Sequence, residues 1–204
     1  MFASPPSIVR KLYKSGIWRM PSYEKKVYLT FDDGPIPDVT EWVIERLKSY
    51  SIKATFFCVG ENIVKHPHIY KRLIEDGHSV GNHTFNHLKG FYTNNETYFD
   101  NVTKCNDLLN GSKLFRPPYG QLKFSQIRKL SKSYKIILWD VLSYDYSQIV
   151  SPEKCLKNVI ENTRPGSIIV FHDSIKAKDN MMYALPRVIE HLSDKGFSFE
   201  KIQF

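Results

Sequence analysis

The sequence predicts a single α/β domain built on a mostly parallel sheet, and three observations support this fold class. The chain has 204 residues, of which 42% are hydrophobic, enough to bury the core of one domain. Runs rich in β-branched and aromatic residues alternate with helical patterns along the whole chain. No internal repeat, low-complexity segment or linker divides it. This alternation implies a parallel sheet, either open or closed into a barrel.

Seven β-rich runs are expected to be the strands of that sheet. Each is short and apolar, and most end at a polar or turn-forming residue, as strands in α/β folds do. The runs are VYLTF (27–31), KATFFCV (53–59), HSVGN (78–82), KLFR (113–116), KIILWDV (135–141), SIIVF (167–171) and FSFEKI (197–202).

Helical patterns fill the segments between the strands, and local signals mark several helix starts. Asp38 with Glu41 and Thr93 with Glu96 have the spacing of capping boxes. The Ser-Pro pair at 151–152 is typical of an N-cap followed by the first helical residue. The remaining helices are predicted over about 61–76 with an interruption near Pro67, through Ile127 and Leu130, and around 185–192.

Residues 1–24 are predicted to form an N-terminal extension that packs on a domain spanning 25–204. Ile8, Leu12 and the Ile-Trp pair at 17–18 supply apolar side chains for this packing, although the segment could also lie on a membrane surface. It lacks the apolar core, about 7–15 residues long, of a secretory signal. No run approaches the roughly 18 apolar residues of a membrane span. We therefore expect a cytoplasmic, monomeric protein without a membrane span.

Charge and cysteine content exclude some classes of function. The formal net charge is +8 and the sequence pI is about 9.3, which favours acidic partners. Lysine and arginine are scattered rather than clustered, so a solvated basic surface is expected and a nucleic-acid partner is not. Cys58, Cys105 and Cys155 are widely spaced, which indicates ordinary thiols rather than a disulfide framework or a zinc ribbon.

Polar, reactive side chains follow the predicted strands at the points where the strands end. In parallel α/β folds the carboxyl ends of the strands meet at one edge, where chemistry collects. One cleft is therefore predicted to gather these residues. They are Asp32 and Asp33 after the first strand, His83 and His87 after the third, Arg116 and Tyr119 at the fourth, Asp140 and Asp145 after the fifth, and His172 and Asp173 after the sixth.

Two carboxylates and two histidines among these residues have the chemistry of an open metal site. On a helical turn, side chains four apart such as His83 and His87 share a face. With one of the carboxylates of Asp32 and Asp33 they make a three-ligand set that leaves a position open. The second aspartate could then act as a general base. The spacing does not assign the two aspartates, and the Asp-Asp-Gly-Pro segment could also be only a turn.

His172 and Arg116 have two interpretations each. A histidine at the exit of an apolar strand could be a hydrogen-bonded core residue, or it could protonate a leaving group. The arginine could be a structural ion-pair partner, or it could hold a carboxylate in a bidentate fork and keep it charged.

Five segments in order resemble the motifs of the polysaccharide deacetylases, the NodB-homology group that forms carbohydrate esterase family 4. The resemblance covers roughly residues 25–204, and five motifs in order make it specific. The segments are TFDDG (30–34), HTFNH (83–87), RPPYG (116–120), WDVLSYDY (139–146) and VFHD (170–173).

The resemblance implies a distorted (β/α)7 barrel and a divalent metal ion. Asp33, His83 and His87 correspond to the metal ligands of the family. Zinc is the usual ion, and cobalt or other divalent ions can serve. The family removes acetyl groups from N-acetylglucosamine in chitin, peptidoglycan or related glycans, or from acetylated xylan.

The same resemblance implies roles for five further residues. Asp32 corresponds to the general base and Arg116 to the arginine that pairs with it. The backbone N–H of Tyr119 corresponds to a donor for the oxyanion. His172 corresponds to the general acid, tuned by Asp145.

Two substitutions within the motifs and the missing export signal depart from the family pattern. Tyr146 stands where a tryptophan is common and Val170 where a leucine is usual, so the acetyl pocket is expected to differ slightly. The missing signal favours small oligosaccharides over polymeric peptidoglycan.

The leading hypothesis is metal-dependent N-deacetylation of a saccharide that contains N-acetylglucosamine. O-deacetylation of acetylxylan is the alternative activity, because the motifs barely separate an ester from an amide. A non-catalytic saccharide-binding module is the alternative class, suggested by the charge and by an aromatic content of 14%.

Overall fold

The computed structural model describes residues 3–204, which form nine strands and eight α-helices. The strands are β1 Gly16–Ile17, β2 Lys26–Asp32, β3 Thr55–Cys58, β4 Ser79–Asn82, β5 Leu114–Phe115, β6 Lys135–Ile137, β7 Val141–Leu142, β8 Ile168–His172 and β9 Ser198–Phe199. The helices are α1 Ser7–Leu12, α2 Val39–Ser49, α3 Gly60–Lys65, α4 Pro67–Glu75, α5 Asn95–Asn106, α6 Phe124–Leu130, α7 Pro152–Ile160 and α8 Lys178–Asp194.

The strands form one curled, parallel half-barrel in the order β1-β6-β5-β4-β3-β2-β8-β7, and β9 pairs separately with the start of β2. The expected distorted α/β barrel is therefore confirmed. The predicted fifth strand divides into β6 and β7, which lie at different positions in the sheet. The segment between them connects the two sides, since Leu138 N–H donates to Ile17 and Asp140 N–H to Ile168.

Side chains alternate along β2, so that apolar residues of the core lie on one face of the strand and polar residues lie on the other. Val27, Leu29 and Phe31 point to the outer face and belong to the hydrophobic cluster between sheet and helices. The alternate positions, including Thr30 and Asp32, face the interior of the curl, because successive strand residues point to opposite sides. Phe31 stacks on Phe56 of β3 with ring centroids 5.0 Å apart, which anchors the strand in the core.

The parallel register brings the ends of β2 and β8 side by side. Asp32 lies opposite His172 in the β2–β8 pair and opposite Phe57 in the β2–β3 pair. The last residues of β2 and β8 therefore lie at the same edge of the sheet, as the strand–helix alternation predicts.

Helix starts agree with the sequence signals in two cases out of three. Ser151 accepts from Lys154 N–H at the start of α7, and Asp38 N–H donates to the Glu41 carboxylate at the start of α2. The predicted capping role of Thr93 is wrong, because Asn94 is the N-cap of α5 and accepts from the Thr97 N–H.

The N-terminal segment packs on the domain through apolar side chains that differ in part from those expected. Ile17 and Trp18 are partly buried against the core, whereas Ile8 and Leu12 are exposed, so the prediction for those two is wrong. Tyr13 and Met20 also pack against the core, and Ser4 donates to the Asp140 carbonyl. Within residues 3–204, none of the helices has the length and apolar content needed to cross a lipid bilayer.

Asp140 is a structural residue rather than part of the predicted reactive edge. It lies directly before β7, is fully buried, and does not line the cleft described below. Its carboxylate accepts from Arg10 (2.6 Å), from two nitrogens of Arg164 (2.9 and 3.0 Å) and from Ser167 (2.8 Å). The Asp140 carboxylate therefore connects the N-terminal segment to the residues that precede β8.

Asp140→Asn is expected to lower the free energy of unfolding by about 1–3 kcal/mol, because Arg10 and Arg164 lose the buried carboxylate that they share and can only partly turn to solvent. Urea unfolding at neutral pH measures the change. Glu24→Gln, which removes the exposed pair with Lys26, is the matched control and should leave the unfolding midpoint where it is. An unchanged midpoint for Asp140→Asn would contradict the structural role.

Candidate active site

A cleft of about 560 Å³ opens at the carboxyl ends of the strands. Residues from the exits of β2, β4, β5, β7 and β8 reach it, as the sequence predicts. Its lining side chains are Asp32, Asp33, His83, His87, Pro117, Tyr119, Gln121, Trp139, Leu142, Tyr146, Val170, His172, Ser174 and Lys176.

Three of these side chains form a group that could hold a metal ion. The Asp33 Oδ1 atom lies 3.3 Å from His87 Nε2 and 3.8 Å from His83 Nε2. The three ligand atoms are all within 4.8 Å of one another, and this is the one such group found in the described part of the chain. Asp33, rather than Asp32, is therefore the aspartate that joins the histidines.

The two histidines lie in a loop after β4, not on the helical turn that their spacing suggested. Thr84 and His87 have left-handed backbone conformations, with φ values of 63° and 55°. Side chains hold the loop in place, because the side-chain oxygen Oδ1 of Asn101 accepts from both backbone N–H groups of residues 85–86 and the Thr84 hydroxyl accepts from Leu88 N–H. The loop is therefore stabilised by hydrogen bonds to side chains rather than by the backbone hydrogen bonds of a helix.

His83 is buried and oriented by a backbone carbonyl. Its Nδ1 atom lies 2.8 Å from the carbonyl oxygen of Arg116. A carbonyl only accepts, so Nδ1 carries the proton and Nε2 presents its lone pair toward Asp33. Burial lowers the pKa of His83 to about 4, which keeps the imidazole neutral at physiological pH, as a ligand must be.

Asp33 is positioned by a strained turn directly after β2. Its φ is 87°, in the left-handed region, and the following Gly34–Pro35 peptide is cis. Asn62 donates to the Asp33 carbonyl at 2.8 Å, and the Gly34 N–H donates to the buried carboxylate of Asp173 at 3.1 Å. A Cβ at position 34 would collide with that carboxylate, so only glycine fits the turn.

The charge state of Asp33 follows from opposing effects. Burial raises its pKa, but the hydrogen bond with His87 and the charge of His172 outweigh burial and hold the pKa well below its usual range. The carboxylate is therefore ionised at all physiological pH values and is ready to bind a cation.

Asp32 points to a different partner, the fully buried Arg116. Arg116 Nη1 donates to Asp32 Oδ1 at 2.6 Å and to Thr30 Oγ1 at 2.7 Å, while its Nε and Nη2 donate to the carbonyls of residues 137–138. The guanidinium also lies 4.1 Å from the ring centroid of Phe57. The suggested bidentate fork is therefore wrong, because one nitrogen serves both the carboxylate and the threonine.

His172 forms a second charged pair on the other side of the cleft. Its Nδ1 lies 2.8 Å from Asp145 Oδ1, and its backbone N–H donates to Asp145 Oδ2 at 2.7 Å. Burial lowers the pKa of His172, but the buried Asp145 carboxylate raises it more, to about 9. Nδ1 is occupied by Asp145, so Nε2 is the nitrogen left for proton transfer.

Tyr119 lies on the cleft wall beside the histidines. It has a φ of 60°, its side chain is half exposed, and its ring centroid is 4.8 Å from that of His87. Lys89 Nζ lies 4.8 Å from the same ring. Tyr146 occupies the opposite wall, with its ring centroid 4.8 Å from the His172 ring.

A family model of polysaccharide deacetylases matches residues 19–136, more than half of the chain. The chain belongs to the polysaccharide deacetylase family. The resemblance inferred from five motifs is therefore confirmed.

Relatives within this family are similar over most of the chain. A peptidoglycan-N-acetylglucosamine deacetylase of Bacillus cereus is 35% identical over 186 residues, covering 88% of this chain and 67% of the relative. A chitooligosaccharide deacetylase of Azorhizobium caulinodans is 31% identical over 202 residues, covering 90% and 96%. A crystal structure of a peptidoglycan N-acetylglucosamine deacetylase bound to a substituted N-hydroxybenzamide has a TM-score of 0.89 and 32% identity, covering 97% of this chain and 95% of that chain.

Several cleft residues of this polysaccharide deacetylase were missed by the sequence analysis. Trp139, the first residue of the WDVLSYDY segment, packs against the core and also lines the cleft. Ser174 and Lys176 also line it, and their position just after the VFHD segment is the signal that could have found them. Tyr144, in the same segment, does not line the cleft, although its ring centroid lies 6.0 Å from that of Tyr146.

The imidazole of His172 is expected to titrate with a pKa near 9 in metal-free protein, and Asp145→Asn should bring it down toward the ordinary value of 6.5. Because the folded-state pKa is raised, the pair stabilises the fold fully below about pH 6.5, and this stabilisation is lost as pH rises through about 9. Two-dimensional NMR of the ring protons measures both titrations. A midpoint near 6.5 in the unmodified protein would refute the charged pair.

Proposed function

We propose that this chain is a metal-dependent hydrolase that removes N-acetyl groups from oligo- or polysaccharides containing N-acetylglucosamine, with release of acetate. The observation that carries the proposal is the convergence of three units on one cleft. These are the Asp33–His83–His87 group, the Asp32–Arg116 pair and the Asp145–His172 pair. A protein that only binds saccharides needs neither the Asp32–Arg116 pair nor the Asp145–His172 pair, which supply a base and an acid for catalysis.

The residues at the cleft fit a divalent ion. Two imidazoles and one carboxylate are a ligand set that zinc favours, and cobalt or another divalent ion can take the same donors. The hydrogen bond from His83 Nδ1 to the Arg116 carbonyl is the kind of support that orients ligating histidines. When bound, such an ion supplies Lewis-acid polarisation of the acetyl carbonyl and makes water more acidic.

Asp32 acts as the general base in this proposal. Arg116 holds Oδ1 and stabilises the ionised carboxylate in a buried setting, so Oδ2 is the oxygen that accepts a proton from the attacking water. The water oxygen bonds to the acetyl carbon, and the carbonyl oxygen becomes an oxyanion. The backbone N–H of Tyr119 donates to this oxygen.

His172 acts as the general acid. Its raised pKa keeps it protonated at neutral pH, and Nε2 delivers the proton to the amide nitrogen as the C–N bond breaks. Asp145 stabilises the charged imidazolium and fixes its orientation. The products are a free amine on the sugar and acetate, so atoms and charge balance with one water consumed.

Two related choices stay open to measurement. O-deacetylation of acetylxylan is the alternative activity, because this proton-transfer geometry suits an ester as well as an amide. The monomeric state and the cytoplasmic location remain predictions.

The variants Asp32→Asn and Asp33→Asn test the separate roles of the two adjacent aspartates. Asp32→Asn is expected to keep its metal and to lose acetate release by about 10²–10⁴-fold. Asp33→Asn is expected to lose metal affinity, with activity that rises again as metal is added. Acetate release from N-acetylglucosamine oligomers and metal content after dialysis are the two readouts.

Asp100→Asn, which changes an exposed carboxylate on α5, is the matched control and should behave as wild type in both assays. Wild-type turnover by Asp32→Asn would remove Asp32 from the mechanism.

A further inference from the structure

Asp173 is a buried carboxylate directly after β8 that the proposed mechanism does not use. It follows His172 in the chain, and only 1% of its surface is exposed. Its side chain does not line the catalytic cleft, so it is not placed to touch a substrate. A buried carboxylate is unfavourable unless hydrogen bonds satisfy its oxygens, so its partners indicate what it does.

Asp173 binds the backbone on both sides of Asp33. Its Oδ1 atom accepts from the Gly34 N–H at 3.1 Å, one residue beyond the proposed metal ligand. Its own backbone N–H donates to the Asp32 carbonyl at 3.0 Å, one residue before that ligand. The two hydrogen bonds therefore fix the chain where it enters and where it leaves Asp33.

Thr40 extends this network from the second residue of α2. Its hydroxyl is fully buried and donates to Asp173 Oδ2 at 2.6 Å. The same hydroxyl oxygen accepts from the Ile36 N–H at 2.8 Å. Thr40 thus orients the Asp173 carboxylate and also holds the far end of the turn, at residues 34–36.

Asp33 depends on such support because its backbone conformation is unfavourable for a residue with a Cβ atom. Its φ of 87° lies in the left-handed region, where neighbouring groups must hold such a residue in place. Asn62 donates to the Asp33 carbonyl at 2.8 Å, and the Val59 N–H donates to the Gly34 carbonyl at 2.9 Å. The aspartate side chain is short, so a small backbone movement would carry its carboxylate away from the two histidines.

We propose that Asp173 and Thr40 are positioning residues for the metal site, whose hydrogen bonds to the turn at 34–36 hold Asp33 where its carboxylate meets His83 and His87. The inference rests on the proposed function, because it assumes that the Asp33–His83–His87 group binds a divalent ion. Neither positioning residue lines the cleft, so both act through the backbone of the turn.

Two substitutions of Asp173 separate the hydrogen bonds of its side chain from its charge. Asp173→Asn removes the charge, but the amide oxygen can accept from Gly34 and the amide nitrogen can donate to the second lone pair of the Thr40 hydroxyl. Asp173→Ala removes the charge and both hydrogen bonds. Zinc dissociation constants are measured by competition with a chromophoric chelator. Asp173→Ala is expected to weaken zinc binding about 10–100-fold, and Asp173→Asn to stay within about threefold of wild type.

Thr40 offers a second and milder pair of variants. Thr40→Val keeps the shape of the side chain but removes the hydroxyl, so that Asp173 Oδ2 and the Ile36 N–H both lose their partner. It is expected to weaken zinc binding about tenfold. Thr40→Ser restores the hydroxyl and should bind zinc within about threefold of wild type.

Ser167→Ala is the matched control for a loss of stability alone. Ser167 is fully buried at the opposite end of β8 and donates to Asp140 at 2.8 Å. The variant is expected to lower the urea midpoint and to leave zinc affinity unchanged. Wild-type zinc affinity in Asp173→Ala and Thr40→Val would overturn the positioning role. Equal weakening in Asp173→Asn and Asp173→Ala would overturn it as well, because the charge would then be the cause.

Failure of the proposed deacetylation has a different signature. It would appear as absence of acetate release from any glycan by zinc-loaded wild-type protein. The zinc affinities are measured without turnover, so they still test Asp173 and Thr40 in that case.

Discussion

The buried guanidinium of Arg116 is the interaction on which the rest of the site depends. Its side chain donates to Asp32, to Thr30 and to the carbonyls of residues 137–138, and its own carbonyl accepts from His83. A fully buried cation is unfavourable unless all its partners are in place, so the arginine couples strand positions, carboxylate charge and histidine orientation. One residue thus connects the proposed base to the proposed metal ligands.

Adjacent aspartates can take different roles here because the backbone separates them. Asp32 is the last residue of β2, faces the interior of the curl and is neutralised by Arg116. Asp33 turns away in a left-handed conformation and meets His83 and His87. Two neighbouring carboxylates that shared one environment would repel, and one would take up a proton. Separate cationic or ligating partners allow both to stay ionised.

The sequence predicts those features of the fold and the site that depend on residues close together in the chain. The motifs at the strand exits are visible because each is a short segment after an apolar run, and the parallel sheet brings the exits together. Residue spacing alone does not show which role Asp32 and Asp33 each take, because that depends on Arg116, more than eighty positions along the chain. Only the family resemblance assigns the two roles in advance. For the same reason Asp140, which follows a strand as Asp145 does, could not be recognised as a partner of Arg164.

Local signals also fail where two neighbouring residues compete for one role. Thr93 and Asn94 both have side chains that can cap a helix, and the outcome depends on Thr93 donating its hydroxyl to the Lys89 carbonyl instead. The split of the fifth strand is likewise a consequence of tertiary pairing, since the continuous run 135–141 gives no sign that its two halves bind different neighbours.

The most direct measurement of the central claim is acetate release from N-acetylglucosamine oligomers of increasing length, by chelated protein and after zinc or cobalt is restored. We expect no release from chelated protein, recovery with metal, and rates that rise with oligomer length until the cleft is filled. Release that is unaffected by chelation, or release from acetylxylan with none from the oligomers, would contradict it.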